Sequence, residues 1–225
     1  MEQNYTENHW TLRINSETVK ALPDDFDLKQ RVAREAATLL YFGAEKEYKQ
    51  AKDKAAQTFG VHFLPSNLEI ALELDKIAEE NEGPKRKERL IQMRNEALTL
   101  MQLLGGFYPV LIGSVWRGTI KQGSDIDIAV YADDPEEIVD VLKAEGVKIL
   151  KTCWTTVNKR GVTLESFHIY SETPINHGLE IVVRSPEEAG KKRKCEIFGD
   201  ELKGLNLKEL ERILETNPTQ QFIPS

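Results

Sequence analysis

Two acidic residues follow a glycine–serine pair at a spacing that suits nucleotide chemistry. Gly113 and Ser114 come directly after residues 109–112, PVLI, an apolar run that predicts a short buried strand ending in a turn. Glycine allows close backbone approach to a ligand, and a helical turn that begins at Ser114 would direct its free N–H groups at one anion. Arg117 adds a fork of donors. The pattern therefore predicts a phosphate-binding turn.

Asp125 and Asp127 alternate with Ile126 and Ile128 at the start of a predicted strand over residues 125–131. Because side chains alternate across a strand, the two carboxylates share one face, about 7 Å apart along the chain. Two carboxylates on one face repel each other unless a cation lies between them, and hard divalent ions prefer oxygen ligands. The pair predicts a site for Mg²⁺, with Mn²⁺ as the alternative.

A third acid should complete such a site, and two downstream residues compete for this place. Glu180 lies in residues 177–184, HGLEIVVR, where it is the only acid in a strongly strand-like run. Glu165 lies in a more polar run that follows residues 158–161, NKRG, a predicted hairpin tip. We therefore predict Glu180 as the third acid and keep Glu165 as the alternative.

The spacing of these residues resembles the signature of the DNA polymerase beta-type nucleotidyltransferase superfamily. Gly-Ser, Arg-Gly and Asp-Ile-Asp recur in order within residues 113–127, and an acid follows in a short apolar strand. The spacing is closest to the minimal nucleotidyltransferases and is also similar to archaeal CCA-adding enzymes. The resemblance covers roughly residues 107–185. One departure is Glu180, since the family more often has aspartate there.

The resemblance implies an α+β fold with a mixed β-sheet and transfer of a nucleoside monophosphate from a nucleoside triphosphate to a hydroxyl group. ATP is the expected donor, pyrophosphate the leaving group, and RNA, including tRNA, a protein or a small molecule the acceptor. It implies two Mg²⁺ ions as cofactors. Their implied ligands are Asp125, Asp127 and Glu180, and the implied nucleotide contacts are Gly113, Ser114, Arg117 and Ser124.

A second hypothesis keeps the fold without catalysis. If glutamate in place of aspartate at residue 180 abolishes turnover, the chain would be a nucleotide- or RNA-binding regulatory protein. Pyrophosphate release in the presence of Mg²⁺ and an acceptor distinguishes the two hypotheses.

Composition is typical of a globular protein, with 40% hydrophobic and 30% charged residues among 225. No apolar run approaches the length of a membrane span, and residues 1–4 lack the basic and apolar segments of a signal peptide. These features predict a cytoplasmic location without membrane partners. Cys153 and Cys195 are too few for a zinc site and are predicted to be reduced thiols.

The net charge of −7 argues against broad, sequence-independent nucleic-acid binding, which depends on a basic surface. Residues 191–194, KKRK, are interpreted as the solvated end of a helix rather than an RNA clamp. His168 alternates within a predicted strand, and His177 abuts a glycine in a predicted turn. Neither histidine has a partner at metal-ligand spacing.

Three regions are predicted along the chain: a helical N-terminal region over residues 1–105, a nucleotidyltransferase core over 106–185, and C-terminal helices with a tail over 186–225. Ser66 and Glu69 form a predicted capping box. The predicted helices cover 27–58 with an interruption at Gly43, 66–80, 85–104, 135–145 and two segments of 186–216. The predicted strands cover 109–113, 125–131, 147–157, 162–170 and 177–184. Residues 218–225 are predicted to form a loose tail.

Overall fold

Six strands form one mixed sheet in a computed structural model of the chain, which describes residues 24–159 and 162–224. The strands are β1 Val110–Ile112, β2 Ile126–Tyr131, β3 Ile149–Lys159, β4 Val162–Glu172, β5 Gly178–Arg184 and β6 Leu205–Asn206. Their order across the sheet is β3-β4-β5-β2-β1-β6. Only the β2–β5 pair is parallel among these. The prediction of an α+β fold with a mixed sheet is confirmed.

One face of the sheet is apolar and covered by helices. In β2 and β5 every second residue points into the core, including Ile126, Ile128, Leu179 and Ile181, all at most 2% exposed. Helices α4 Pro84–Leu103, α6 Pro135–Ala144 and α7 Leu207–Thr216 pack on this face. Each fully buried aliphatic side chain contributes about 1.5–3 kcal/mol. The opposite face carries the alternate residues and is not covered by these helices.

Three further helices, which precede the sheet in the sequence, form a second apolar cluster. They are α1 Asp24–Tyr41, α2 Tyr48–Phe59 and α3 Asn67–Glu82. The predicted helix over 27–58 is therefore two helices, because Gly43 adopts a left-handed φ of 71° in the turn between them. The capping box of Ser66 and Glu69 is confirmed at the start of α3. No helix of the described residues has the length and apolar composition needed to cross a bilayer.

Helix α4 belongs to the core of the sheet although it lies in the predicted N-terminal region. Leu90, Met93, Ala97 and Met101 are buried in the same cluster as the strands. The boundary at residue 105 stays a prediction. The short helix α5, Gly113–Arg117, follows β1 and leads to β2; Val115 and Trp116 are buried in the core cluster.

The C-terminal part differs from the prediction in two ways. Residues 186–216 contain one α-helix, α7, instead of two; the first predicted helix is a 3₁₀ turn, Pro186–Glu188, followed by loop. Gly190 and Gly199 adopt left-handed φ angles there, which a continuous helix does not allow. The run at 191–194 is consequently a loop and not a helix end.

The predicted loose tail is instead fixed to the core. The guanidinium of Arg94, which is 0% exposed, donates to the carbonyls of Pro218 and Gln220 at 2.7 and 2.8 Å. It also donates to the carbonyl of Trp116 at 2.9 Å. The ring of Phe222 stacks on Trp116, with ring centroids 6.4 Å apart. The tail is therefore part of the packed structure, at least to Phe222.

Candidate active site

The pairing of β2 with β5 places two of the predicted acids side by side. Asp127 and Glu180 are register partners in adjacent parallel strands. Both lie on the uncovered face, because their neighbours Ile126, Ile128 and Leu179 point into the core. Asp125 comes one residue before β2 and two before Asp127. The structure thus places Asp127 and Glu180 side by side, with Asp125 next to them in the chain. Glu165 pairs with Thr156 in the β3–β4 hairpin but lines the same cleft as Asp127 and Glu180, so it stays the alternative third acid.

The ionisation of the aspartates reflects this crowding. Burial, then the negative charge of Glu180, then that of Asp125, raise the pKa of Asp127 to about 7. Burial and the charge of Glu180 also raise the pKa of Asp125, although Lys121 opposes the shift. Burial and mutual repulsion therefore both disfavour the ionised forms of Asp125 and Asp127, and Lys121 offsets this only in part at Asp125.

Two glycines make room for the aspartates. A Cβ atom at Gly113 would overlap Asp127 Oδ2, and a Cβ atom at Gly178 would overlap Asp125 Oδ1. Gly113 also adopts a left-handed φ of 71°, where side chains are strained. The chain bends at Gly113, as predicted, and this bend is a close neighbour of Asp127. Gly178 was missed as a site residue, although a glycine two residues before Glu180 on the same strand face was a signal for it.

Glu180 is held by polar neighbours on β4. His168 Nδ1 lies 2.6 Å from Glu180 Oε1, and His168 Nε2 lies 2.8 Å from Ser166 Oγ. Tyr170 is the register partner of Glu180; burial, followed by its hydrogen bond to Glu180, raises the pKa of Tyr170 to about 12. His168 is thus a satisfied strand histidine, as predicted, and its partner is the third acid.

The acids suit a hard divalent cation in donor type and in charge. Asp125 and Asp127 supply oxygen ligands whose raised pKa values show that a positive charge would stabilise their ionised form. Glu180 fits by charge, but its carboxylate is engaged by His168 and Tyr170. Within residues 24–159 and 162–224, no group of three His, Cys, Asp or Glu side chains stands close enough together to form a ready metal site.

The two predicted serines have different surroundings. Ser114 is the second residue of α5, directly after Gly113, and its carbonyl accepts from Thr119 N–H at 3.0 Å. Ser124 lies in the turn before β2, where its hydroxyl accepts from Lys121 N–H at 2.9 Å. The structure therefore gives Ser124 a role in shaping the turn that delivers Asp125.

The prediction that Arg117 contacts phosphate is not supported by its position. Its guanidinium is buried, with only 3% of the residue exposed, and donates to both carboxylate oxygens of Asp200 at 2.6 and 3.1 Å. It also donates to the carbonyl of Phe222 at 2.8 Å and lies between the rings of Trp116 and Phe198. The guanidinium faces the core, because α5 turns residue 117 inward. Its partner, Asp200, is 83 residues away in sequence.

A groove runs over the uncovered face of the sheet. It consists of two adjoining clefts of about 430 and 460 Å³, which share Ile112, Gly113, Arg184 and Arg193. The first cleft is lined by Asp127, Glu180 and His168, and the second by basic residues of the loop after β5. A larger cavity of about 680 Å³ lies between α4 and the β4–β5 turn and is lined by none of the three predicted acids. We assign the chemistry to the groove, because the convergent charged groups lie there.

The remaining residues that the sequence singled out are one histidine and two cysteines. His177 lies in the β4–β5 turn and pairs with Glu96, with 3.0 Å between Nδ1 and Oε2. Cys153 and Cys195 are both free thiols, as predicted.

Solved structures of nucleotide-adding enzymes resemble part of the chain. A cytoplasmic RNA terminal U-transferase shares 19% identity over 50% of this chain and 35% of its own, with a TM-score of 0.30. The Cid1 poly(U) polymerase shares 19% over 49% and 38%, with a TM-score of 0.31. The non-canonical poly(A) polymerase complex GLD-2–GLD-3 shares 11% over 51% and 40%, with a TM-score of 0.31. The chain spans at most two fifths of the length of these proteins.

Among curated proteins, none matches the sequence at a significant level. The sequence model of the nucleotidyltransferase domain, in contrast, matches residues 102–215, which is 114 of the 225 residues. This match covers α5, the three acids and the groove, and it extends over slightly more than half of the chain. The chain therefore belongs to the nucleotidyltransferase domain family.

Proposed function

We propose that the chain transfers a nucleoside monophosphate from a nucleoside triphosphate, with ATP as the expected donor, to a hydroxyl group of an acceptor. The observation that carries this proposal is the register of β2 and β5, which sets Asp127 beside Glu180 at the Gly113 bend. Converging carboxylates next to a glycine-rich turn in a groove are suited to charge-stabilised phosphoryl chemistry.

The residues would divide the work as follows. Gly113 and Ser114 offer backbone N–H groups and a hydroxyl to the β- and γ-phosphates, so that the α-phosphate lies over the acids. The acceptor oxygen then bonds to the α-phosphorus, and the bond from that phosphorus to the bridging oxygen breaks. Pyrophosphate leaves with the electron pair, and the acceptor loses its proton. Positioning supplies much of the rate, because the reacting groups are held together.

Asp125 and Asp127 would hold Mg²⁺, and Glu180 would complete the charge of the site. A divalent cation bound there would neutralise the triphosphate and lower the pKa of the acceptor hydroxyl. Of the residues proposed from the sequence, Arg117 and Ser124 do not enter this scheme, since the first is buried against Asp200 and the second shapes a turn.

One observation favours the non-catalytic alternative. The carboxylate of Glu180 is hydrogen-bonded to His168 and Tyr170, which leaves fewer of its lone pairs for a metal ion. A regulatory protein that binds nucleotide without turnover would be consistent with such a contact. We favour the enzyme, because the alternative does not explain why two further carboxylates crowd beside the bend.

Incubation of the full chain with each α-labelled nucleoside triphosphate, Mg²⁺ and cell extract tests the proposal. We expect release of pyrophosphate and transfer of label to an acceptor, with ATP as the preferred donor. Asp127→Asn should reduce release at least about a hundredfold, since it removes several kcal/mol of charge stabilisation. Asp140→Asn, at an exposed acid of α6, is the matched control. Wild-type protein that binds triphosphate without releasing pyrophosphate would establish the regulatory alternative.

A further inference from the structure

The end of the groove that the second cleft forms carries an excess of positive charge. We call it the basic end, and it belongs to the second cleft, where one acidic side chain, Glu201, also contributes to the lining. The basic side chains are Arg184, Lys191, Lys192, Arg193 and Lys203. Because the whole chain has a net charge of −7, this patch has the sign opposite to that of the protein. Local charge of this kind indicates an anionic ligand.

Internal ion pairs neutralise only part of this charge. Arg193 pairs with Glu188, and Lys192 Nζ lies 3.4 Å from Glu201 Oε2 while its side chain is 82% exposed. Burial, and then the positive charge of Arg193, lower the pKa of Arg184, so the two guanidinium groups lie near enough to repel each other. An anion bound between them would relieve this repulsion.

The basic end adjoins the reaction centre and leads away from it, since Arg184 and Arg193 line both clefts whereas the three lysines line only the second. Glu180 and Arg184 point to the same face of β5, four residues apart, which corresponds to about 13 Å along the strand. The cations are spread from β5 through residues 191–193 to Lys203, across the width of the cleft. An elongated array fits a chain of phosphates that leads away from the acids better than it fits one compact triphosphate at Gly113.

An aromatic ring lines the same cleft. Tyr108 is 75% exposed and adopts a left-handed φ of 50°, a conformation that bulky residues rarely occupy. Nucleobases stack on exposed aromatic rings, and this stacking operates together with a basic groove in proteins that bind single strands. A strained, solvent-facing tyrosine beside five cations therefore points to a ligand with both bases and phosphates.

We propose that the basic end binds the sugar–phosphate backbone of a single-stranded polynucleotide, whose terminal hydroxyl then lies at the acids as the acceptor. This inference rests on the proposed function and names its acceptor class. Residues 191–193 of the KKRK run then contact RNA, although their sequence favoured a solvated helix end, because they lie in a loop that lines the groove.

Binding of a 5′-labelled, 12-nucleotide single-stranded RNA, followed by fluorescence anisotropy, tests the site, with the DNA of the same sequence measured beside it. The variant Lys191→Gln/Lys192→Gln removes two exposed cations at the basic end. The matched control Lys46→Gln/Lys49→Gln removes two exposed cations next to α2 and changes the net charge equally. Loss of two phosphate contacts should weaken binding about 25-fold at 0.1 M salt and reduce the salt slope by about 1.4. The control should bind like the wild type.

Tyr108→Asn tests the base contact without repeating the charge test. Asparagine tolerates the left-handed conformation, so the variant keeps the backbone while it removes the ring. We expect binding to weaken about tenfold with an unchanged salt slope, as for loss of one stacked base. Poly-L-glutamate, a polyanion without bases, should bind weakly and show no effect of this variant. If poly-L-glutamate binds as well as RNA, the site recognises acidic protein and the proposal is wrong.

Three further results separate this inference from the proposed function. Asp127→Asn should bind RNA like the wild type, because the acids lie outside the basic end. If the wild type binds RNA through the lysine pair but releases no pyrophosphate with any triphosphate, the proposed function fails while the binding site stands. If Lys191→Gln/Lys192→Gln weakens RNA binding no more than the control Lys46→Gln/Lys49→Gln does, the basic end is not a polynucleotide site. The same conclusion follows if the basic-end variant raises only the KM for triphosphate.

Discussion

The carboxylate of Asp127 lies against the α-carbon of Gly113, so that any side chain at residue 113 would overlap Asp127 Oδ2. This contact joins the bend at Gly113, where we propose that phosphate binds, to the acids. Glycine is needed at residue 113 for two separate reasons: the backbone has a left-handed φ of 71°, and the contact leaves no space for a side chain. Gly123 has a left-handed φ of 76° too, but open space surrounds its α-carbon.

Gly113→Ala and Gly123→Ala therefore separate backbone strain from displacement of the acid. Both variants should lose about 1–2 kcal/mol of stability through the left-handed conformation. Only Gly113→Ala should also abolish most pyrophosphate release, because the new methyl group displaces the carboxylate of Asp127. Urea unfolding and initial rates on the same preparations measure the two effects. Equal loss of activity in both variants would show that the contact with Asp127 has no catalytic importance.

Gly178→Ala provides the same test for Asp125 without a left-handed backbone. Gly178 does not have a positive φ, so alanine there introduces little backbone strain. A Cβ atom would nevertheless overlap Asp125 Oδ1. We expect reduced pyrophosphate release with a change in unfolding free energy of less than about 1 kcal/mol. Gly106→Ala, with nothing within 4 Å of its added Cβ, is the control.

The metal-free protein should lose stability as the pH rises. The folded pKa of Asp127 is about 7, while the unfolded carboxyl has its ordinary value of 3.8. Between these values the unfolded chain has released a proton that the folded protein keeps, so ionisation favours unfolding. Relative to Asp127→Asn, the wild type in EDTA should lose about 2–3 kcal/mol between pH 5 and pH 8.

Urea unfolding of both proteins at the two pH values measures this difference. Mg²⁺ at pH 8 should then raise the Tm of the wild type more than that of Asp127→Asn, since only the wild type gains a compensated charge. A wild type whose stability relative to the variant does not change with pH would show that Asp127 ionises normally in the folded protein.

Some features of the fold and of the candidate site could be predicted because they depend on residues that lie close together in the sequence. The capping box at Ser66 and Glu69 depends on residues three positions apart, and the shared face of Asp125 and Asp127 depends on strand alternation. The contact of Glu180 with His168 depends on the register of the β4–β5 pair, which strand alternation within either segment alone does not specify. The pairing of Arg117 with Asp200 could not be foreseen either, since the two residues are 83 positions apart; phosphate contact by Arg117 stays a prediction that its position does not favour.

His168→Gln tests whether the hydrogen bond to Glu180 matters for the proposed reaction. Glutamine keeps a donor but cannot bridge Ser166 and Glu180 as the imidazole ring does. Loss of a residue that orients a charged group at a metal site typically lowers affinity or activity about 10–100-fold. We expect such a drop in pyrophosphate release, together with a higher Mg²⁺ concentration for half-maximal rate. His177→Gln, which removes a comparable pair with Glu96 in the β4–β5 turn, should leave both values unchanged.

Arg117→Met separates a structural role from phosphate binding. The guanidinium bridges Asp200 and the Phe222 carbonyl, so its removal leaves buried acceptors without a donor and detaches the C-terminal segment. We expect a loss of about 3 kcal/mol in unfolding free energy, close to the effect of breaking other buried ion pairs. Arg212→Met, at an exposed arginine of α7, should change stability by less than about 0.5 kcal/mol. The KM for triphosphate, measured below the unfolding temperature, should be the same in Arg117→Met as in the wild type. A large increase in KM with unchanged stability would instead return Arg117 to the phosphate site, against its buried position in the structure.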